Sequence, residues 1–253
     1  MNIYCITFSP TGGARRVAER ICASIGEHVI NVDLCDRLPD AFSISPAAED
    51  VCVVAIPSFA GRVPALAADR IRLLNGNGAK AVPVAVYGNR AYEDTLLEMK
   101  HLLTERGFRC IAASAAIAEH SMLRQYAAGR PDANDCAELD AFGQKIAEIV
   151  AAGQDPADLS VPGNFPYRSI GAFLKPVVTE DCMGCGVCAD MCPAGAIPAD
   201  HPCTTDLNAC ISCVRCVSLC PIKARRLDPA MLDAVNARIG PALSGRKENE
   251  FFF

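Results

Sequence analysis

The chain has 253 residues, of which 51% are hydrophobic and 21% are charged, and its formal net charge is −5. This length allows one or two domains with an ordinary hydrophobic core. The acidic balance argues against nucleic-acid binding, which usually needs a basic surface, and no run reaches the ~18 apolar residues of a membrane span.

Residues 1–152 alternate short β-rich runs with longer helical patterns. The β-rich runs are nearly continuously apolar, which is typical of strands buried on both faces of a parallel sheet: Asn2–Phe8, Val29–Asp33, Val51–Ile56, Ala81–Tyr87 and Arg109–Ile117. Helical spacing follows at Gly13–Ile25, Pro64–Leu74, Tyr92–Arg106 and Asp132–Ala152. This alternation predicts a doubly wound five-stranded parallel sheet with its ligand at the carboxyl ends of the strands. Residues 36–50 fit either a short helix or an irregular crossover.

The loop after the first predicted strand has the composition of a phosphate site. It consists of Ser9, Pro10, Thr11, Gly12, Gly13 and Ala14, and a helix begins within it. Hydroxyl groups and glycine-exposed N–H groups would converge at the helix N-terminus, which is the geometry that holds a phosphate. The loop has neither the lysine of a Walker loop nor the dinucleotide glycine spacing. A phosphomonoester held by neutral donors, such as that of FMN, fits better.

Two further loops follow the third and fourth predicted strands. They contain Pro57, Ser58, Phe59, Ala60, Gly61 and Arg62 in one case, and Gly88, Asn89, Arg90 and Tyr92 in the other. Because the carboxyl ends of parallel strands share one edge, we expect all three loops to meet. Gly61 and Gly88 would let the backbone approach a flat ring, and Phe59 and Tyr92 could stack on it. Packing of each aromatic ring on the protein surface is an equally good interpretation of either one alone.

The region after residue 152 departs from this pattern. The glycines and prolines of residues 153–175 predict a linker. A short helix near Ser169–Leu174 is also compatible with the sequence. A cysteine-rich module follows at residues 176–227, flanked by predicted short strands at Pro176–Thr179 and Ala224–Leu227. Residues 228–253 contain a predicted helix at Pro229–Ile239 and end in Phe251–Phe253, which either dock on a surface or fray.

The cysteine-rich module contains one cysteine spacing twice. The first run, C-x2-C-x2-C-x3-C-P, consists of Cys182, Cys185, Cys188 and Cys192, and the second consists of Cys210, Cys213, Cys216 and Cys220. This spacing is typical of two [4Fe–4S] clusters, in which the fourth cysteine of each run ligates the other cluster. One cluster is therefore assigned to Cys182, Cys185, Cys188 and Cys220, and the other to Cys210, Cys213, Cys216 and Cys192. A zinc site gives no reason for the repeated Cys-Pro.

The other seven of the fifteen cysteines lack metal-ligand spacing, and we expect them, Cys203 included, to be structural. Cysteines in such number suggest disulfides only in a secreted chain. The first residues have no charged leader, and their apolar run is too short for a signal core. We therefore expect a reducing, cytoplasmic location.

These motifs together resemble the flavodoxin–ferredoxin fusion family. Ser9-x-Thr11-Gly12-Gly13 is similar to the flavodoxin phosphate signature, and the Tyr87–Tyr92 loop to the flavin-facing segment of that family. The resemblance implies an α/β fold, a flavodoxin-like doubly wound five-stranded parallel sheet with a C-terminal bacterial ferredoxin-like α+β domain. It also implies FMN held at its phosphate by Ser9 to Ala14 and around its ring by residues 57–62 and 88–92, beside the two clusters.

Three functions remain open at this point. The first is an electron-transfer protein that passes low-potential electrons to redox partner proteins. The second is an FMN-dependent oxidoreductase that reduces a small organic acceptor, with His120, Ser121, Tyr92 and Arg90 as candidate proton donors. A redox sensor ranks last, because the sequence has neither a DNA-binding helix pair nor a basic stripe. The sequence does not fix the donor, the acceptor or the oligomeric state.

Overall fold

The computed structural model describes residues 1–38, 42–154, 158–171 and 174–253. The first part of the chain is an α/β domain. Its elements in chain order are β1 (Ile3–Thr7), α1 (Gly13–Ile25), β2 (Val29–Asp33), β3 (Val51–Pro57), α2 (Ala65–Ile71), β4 (Lys80–Tyr87), α3 (Thr95–Glu105), β5 (Arg109–Cys110), β6 (Ala113–Ile117) and α4 (Ala133–Ala151).

The sheet of this domain is parallel and has the order β2-β1-β3-β4-β6. Both β5 and β6 pair with β4, so the predicted fifth strand is one strand interrupted at Ile111 and Ala112. Counted in this way, the order is 2-1-3-4-5, that of a flavodoxin-like doubly wound fold. The predicted five-stranded parallel sheet is confirmed.

Each face of the sheet is covered by two helices, because the strands are apolar on both faces. Ile6 and Val54 point to the side of α2 and α3, whereas Cys5 and Val53 point to the side of α1 and α4. The predicted helix α1 is confirmed at both ends, and the other predicted helices of this domain are shorter than expected. In the described parts of the 36–50 segment the crossover is irregular, and it buries Phe42.

The cysteine-rich module contains two strands and two short helices. Strands β7 (Val177–Val178) and β8 (Arg225–Arg226) pair antiparallel, within the two predicted strands. Helix α5 (Val187–Asp190) includes the third cysteine of the first run, and α6 (Arg215–Leu219) the third of the second. The optional helix near Ser169–Leu174 is not formed by residues 169–171 and 174, and its residues 172 and 173 lie outside the described residues.

The C-terminal segment returns to the α/β domain. Helix α7 (Pro229–Leu243) extends four residues beyond the predicted end, and β9 (Glu250–Phe252) pairs antiparallel with β6 at the sheet edge. The ring of Phe251 stacks on Phe142 of α4 at 4.8 Å between centroids. Of the two possibilities for the tail, docking is the correct one.

Within the described ranges, each helix is too short or too polar to cross a lipid bilayer.

Candidate cofactor sites

A cavity of about 870 Å³ lies at the carboxyl edge of the sheet, and we call it the edge cavity. Its size is that of pockets that hold small molecules and cofactors. All three loops predicted to meet at this edge contribute to its wall. From the predicted set they supply Ser9, Thr11, Gly13, Ala14, Pro57, Ser58, Phe59, Ala60, Gly88 and Arg90.

The first loop presents helix α1 to the edge cavity. Gly12 has φ +89°, and the chain turns through it into α1, with the Gly12 N–H bonded to the Ser9 carbonyl at 3.3 Å. The Ser9 hydroxyl accepts the Arg15 N–H at 2.9 Å, which leaves its own proton free to donate. The helix has no acidic residue in its first turn. Hydroxyl and N–H donors at a positive helix end suit an anion such as a phosphate.

The second loop is a tight turn that packs against Glu93 and Thr95. Ala60 and Gly61 both have positive φ, and a Cβ on Gly61 would lie 1.8 Å from the Glu93 carboxylate. The Ser58 hydroxyl lies 2.7 Å from that of Thr95 at the start of α3. This bracing leaves Phe59 and Ala60 facing the edge cavity.

Five residues of the predicted cofactor set do not line the edge cavity: Gly12, Gly61, Arg62, Asn89 and Tyr92. Arg62 makes a two-pronged ion pair with Glu98, at 2.7 and 2.8 Å. The Tyr92 hydroxyl donates to Glu250. The Asn89 amide donates to the carbonyl of Leu243, at the end of α7, and to that of Gly245, just after it. These side chains hold the loops in place.

His120, one of the candidate proton donors, lines the edge cavity in a defined tautomer. Its Nδ1 accepts the backbone N–H groups of Met122 and Leu123 at 3.2 and 3.0 Å, so its proton is on Nε2. Burial, and secondly the charge of Arg90, lowers the pKa of His120 to about 4. The ring is therefore a neutral hydrogen-bond donor at neutral pH.

Three parts of the edge-cavity wall were not predicted, and one of them consists of Arg168, Gly171 and Leu174 of the predicted linker. The second cysteine run contributes Ser212 and Cys213, and α7 contributes Met231, Ala234, Val235, Arg238 and Ile239. Met231, Val235 and Ile239 of α7 recur at intervals of four residues, which indicates an amphipathic helix. Nothing in that spacing tells which surface the helix covers.

The cysteines assigned to one cluster come together around the second run. Burial raises the pKa of Cys213 to about 12, a hydrogen bond from the Arg215 backbone opposes this increase, and the neighbouring thiols of Cys192 and Cys216 add smaller increases. Cys216 likewise lies within electrostatic reach of Cys210 and Cys192, and also of Cys188 in the other predicted quartet. The Ala196 N–H points to the Cys192 sulfur at 3.4 Å, and the Ser212 N–H to that of Cys210 at 3.5 Å. N–H groups directed at sulfur are a feature of iron–sulfur sites.

Two sulfurs of the other predicted quartet, those of Cys188 and Cys220, also accept from nearby donors. The buried Arg225 donates from Nε to Cys188 at 3.0 Å. Burial opposes ionisation of Cys220, but N–H groups of residues 222–225 outweigh it and lower its pKa. Thiolates are the ligands of iron–sulfur clusters, so this donor set fits.

The structure also brings a ninth thiol to the first run. The sulfur of Cys203 lies 3.4 Å from that of Cys182, although its spacing in the sequence matched neither run. Cys203 is exposed, so it is not one of the buried structural cysteines such as Cys5, Cys22 and Cys52.

The cysteine-rich module contacts the α/β domain mainly through the second run and Pro193. Arg70 of α2, which is only 7% exposed, donates to the Pro193 carbonyl at 2.7 Å and to the Leu34 carbonyl. Lys175 donates to the Cys210 carbonyl, and Ile211 packs against the core beneath the sheet.

Comparison with protein families matches residues 175–197, which contain the whole first run, to the 4Fe-4S binding domain. This segment is therefore similar to a 4Fe-4S binding domain. This ferredoxin-type module follows an α/β domain with the flavodoxin-like strand order. No curated protein matches the chain.

Several solved structures are similar to the α/β domain. A flavodoxin from Streptococcus pneumonia TIGR4 is 16% identical, with a TM-score of 0.44, over 60% of this chain and 99% of that one. A flavodoxin from the domain Archaea is 16% identical, with a TM-score of 0.40, over 60% and 99%. Rubredoxin oxygen:oxidoreductase from the anaerobe Desulfovibrio gigas is 16% identical, with a TM-score of 0.44, over 59% of this chain and 35% of that one.

Proposed function

We propose that this protein is an electron-transfer protein that binds FMN in the edge cavity and two [4Fe–4S] clusters at the two cysteine quartets. It would pass electrons between these centres and redox partner proteins. The observation that carries the proposal is the shared wall: Ser212 and Cys213 of the second run line the same cavity as the Ser9–Ala14 and Phe59–Ala60 loops. Electron exchange requires centres that are close, and one polypeptide keeps them close at any protein concentration.

The residues around the edge cavity suit FMN. Thr11, Ser9 and the first N–H groups of α1 would hold the phosphate, because they form a donor-rich helix end without an acidic side chain. Phe59 and the backbone at Gly88 would contact the ring. Bound FMN exchanges electrons singly or in pairs, whereas a [4Fe–4S] cluster exchanges one at a time.

The chain itself positions and shields these centres. Residues 57–60 and His120 define one side of the edge cavity, and α7 covers another. Arg225, at 3.0 Å from the Cys188 sulfur, supplies a positive charge that stabilises a negatively charged cluster environment.

A second function, reduction of a small organic acceptor by the flavin, is favoured by one observation. The edge cavity extends beyond the loops to Arg238 of α7 and to the neutral Nε2–H donor of His120. A cation and a hydrogen-bond donor on the same cavity wall would suit an acceptor with an acidic group.

Cofactor content tests the proposal directly. Protein purified without oxygen is analysed for iron, sulfide and flavin, and its visible spectrum is recorded. We expect about eight iron atoms per chain with both clusters filled, together with one FMN. Colourless protein, or protein that contains zinc in place of iron, would refute the proposal.

Turnover separates the two functions. Anaerobically reduced protein is mixed either with an oxidised two-cluster ferredoxin or with a series of small acceptors at rising concentration. Fast, exclusive transfer to the ferredoxin supports the carrier. Saturable turnover of a small acceptor would instead assign an enzymatic role.

A further inference from the structure

The two cysteine runs have the same spacing but different surroundings. Met183, the residue after the first cysteine of the first run, is 74% exposed, whereas Ile211 at the same place in the second run packs against the core of the α/β domain. Cys185 is exposed, whereas Cys213 lines the edge cavity. The second run therefore lies at the α/β domain, with the first run more exposed.

The two runs also differ at two left-handed backbone positions, Gly184 against Ser212 and Gly186 against Val214, and of these Ser212 lines the edge cavity. The residue before the second cysteine has a left-handed conformation in both, with φ +67° at Gly184 and φ +58° at Ser212. Glycine adopts this conformation without strain, but a residue with a Cβ does not. A strained residue at a site that glycine would occupy more favourably suggests that the side chain has a function.

The Ser212 side chain is buried and unsatisfied. The residue is 3% exposed, and its hydroxyl has no hydrogen-bond partner among the described residues. It lines the edge cavity beside Cys213. A buried hydroxyl without a partner costs free energy, and in native proteins such groups usually meet a ligand or water.

We propose that the Ser212 hydroxyl hydrogen-bonds to the flavin bound in the edge cavity, and that the cluster site of Cys192, Cys210, Cys213 and Cys216 is the inner one, next to the flavin. The site of Cys182, Cys185, Cys188 and Cys220 is then the outer one. This inference depends on the proposed binding of FMN and adds which residue and which cysteine run face it. Ser212 is a positioning and tuning residue.

The test compares three serine variants in the full chain with its clusters intact. Ser212→Ala removes the hydroxyl and keeps the Cβ. Ser212→Gly removes the hydroxyl and also relaxes the backbone, as in the first run. Ser218→Ala is the matched control, because its hydroxyl belongs to the same module but bonds to the Val214 carbonyl. The readouts are the Kd for FMN and the reduction potential of the bound flavin.

We expect both Ser212 variants to bind FMN about 3- to 10-fold more weakly, the effect of losing one hydrogen bond, and to shift the flavin potential. Ser218→Ala should change neither. Since Ser212→Gly removes strain, weaker binding in that variant cannot be attributed to a damaged fold. An unchanged Kd and flavin potential in both Ser212 variants would overturn the inference, as would a change confined to the cluster spectra.

Cysteine variants test which run is the inner one. Cys216→Ser breaks the second run at a residue that does not line the edge cavity, and Cys185→Ser breaks the first run. We expect Cys216→Ser to weaken FMN binding at least as much as Ser212→Ala, and Cys185→Ser to leave it unchanged. Equal or reversed effects would refute the assignment. Wild-type protein that binds no FMN would refute the proposed function itself, whereas FMN binding that is insensitive to Ser212 refutes only this inference.

Discussion

At the residue scale, the sites depend on side chains whose hydrogen bonds are already fixed by the chain. His120 is an example, since two backbone N–H groups determine its tautomer and burial determines its charge. Ser212 is the opposite case, a residue of the edge-cavity wall whose buried hydroxyl has no partner among the described residues. The first kind of residue is preorganised, and the second is completed by a ligand.

The lowered pKa of His120 predicts a pH dependence of stability. As the pH falls, the unfolded chain takes up a proton at His120 near pH 6.5, but the folded chain does so only near pH 4. The free energy of unfolding therefore falls across this window, by up to about 3 kcal/mol. His120→Asn keeps an acceptor for the N–H groups of Met122 and Leu123 but does not titrate.

Urea unfolding under argon at several pH values measures this effect. We expect the wild-type midpoint to drop between pH 6.5 and pH 4 by more than that of His120→Asn, with the two converging above pH 7. Parallel pH profiles would mean that His120 titrates normally in the folded protein.

At the scale of elements, the C-terminus of α7 is held by Asn89 in the loop after β4. Asn89, itself at φ +65°, donates from Nδ2 to the Leu243 carbonyl at 2.6 Å and to the Gly245 carbonyl at 2.7 Å. Only Gly240 and Leu243 of this helix are buried. The position of α7 over the edge cavity thus depends on few contacts.

Asn89→Asp should release the end of α7. A carboxylate cannot donate to two carbonyls and repels them, so we expect a loss of roughly 2–3 kcal/mol in stability. Hydrogen exchange of residues 229–243 should become faster. The control is Asn236→Asp in the same helix. The Asn236 side-chain oxygen accepts from Tyr126 at 2.9 Å and from Gln125 at 3.4 Å, and an aspartate keeps this acceptor, so this variant should exchange as the wild type does.

Strand β9 protects the edge of the main sheet. It covers β6 from Ala113 to Ala115, and without it the edge groups of β6 could pair with another chain. Deletion of residues 250–253 should therefore cause concentration-dependent association, measured by light scattering. The control is Phe253→Ala, which removes a half-exposed ring but retains the strand, and it should leave the apparent mass unchanged. If both variants associate, the cause is the loss of ring packing rather than of strand pairing.

At the scale of the whole molecule, one buried guanidinium joins the two modules. Arg70 spans the carbonyls of Leu34 in the α/β domain and Pro193 in the cysteine-rich module. Its burial is tolerated because both carbonyls satisfy it. This bridge lies directly after Cys192, a predicted ligand of the inner cluster.

Arg70→Met should weaken the attachment of the cysteine-rich module. It leaves two buried carbonyls without a donor, at a cost of about 2–4 kcal/mol. We expect a lower unfolding midpoint and faster proteolysis within residues 158–171. The control is Arg72→Met. Arg72 is exposed, lies two residues after Arg70 and pairs with Asp69, so this variant should behave as the wild type. Equal sensitivity of the two variants would show that Arg70 does not join the modules.

The sequence alone predicted the main strands and helices and the cysteine pattern of a 4Fe-4S domain, because these are encoded locally. Apolar runs gave the parallel strands, and the spacing of Cys182 to Cys192 identified a domain that the family comparison matches. The interruption at Ile111 and the pairing of Glu250–Phe252 with β6 escaped prediction, since they depend on neighbours far along the chain.

Only the tertiary structure decided what surrounds the sites. It placed Ser212 and α7 on the edge cavity, drew Asn89, Arg62 and Tyr92 into bracing contacts, and brought Cys203 to Cys182. The two cysteine runs are alike in spacing, so no local pattern could rank them. Their difference arises from packing against the α/β domain, a contact between residues separated by more than a hundred positions.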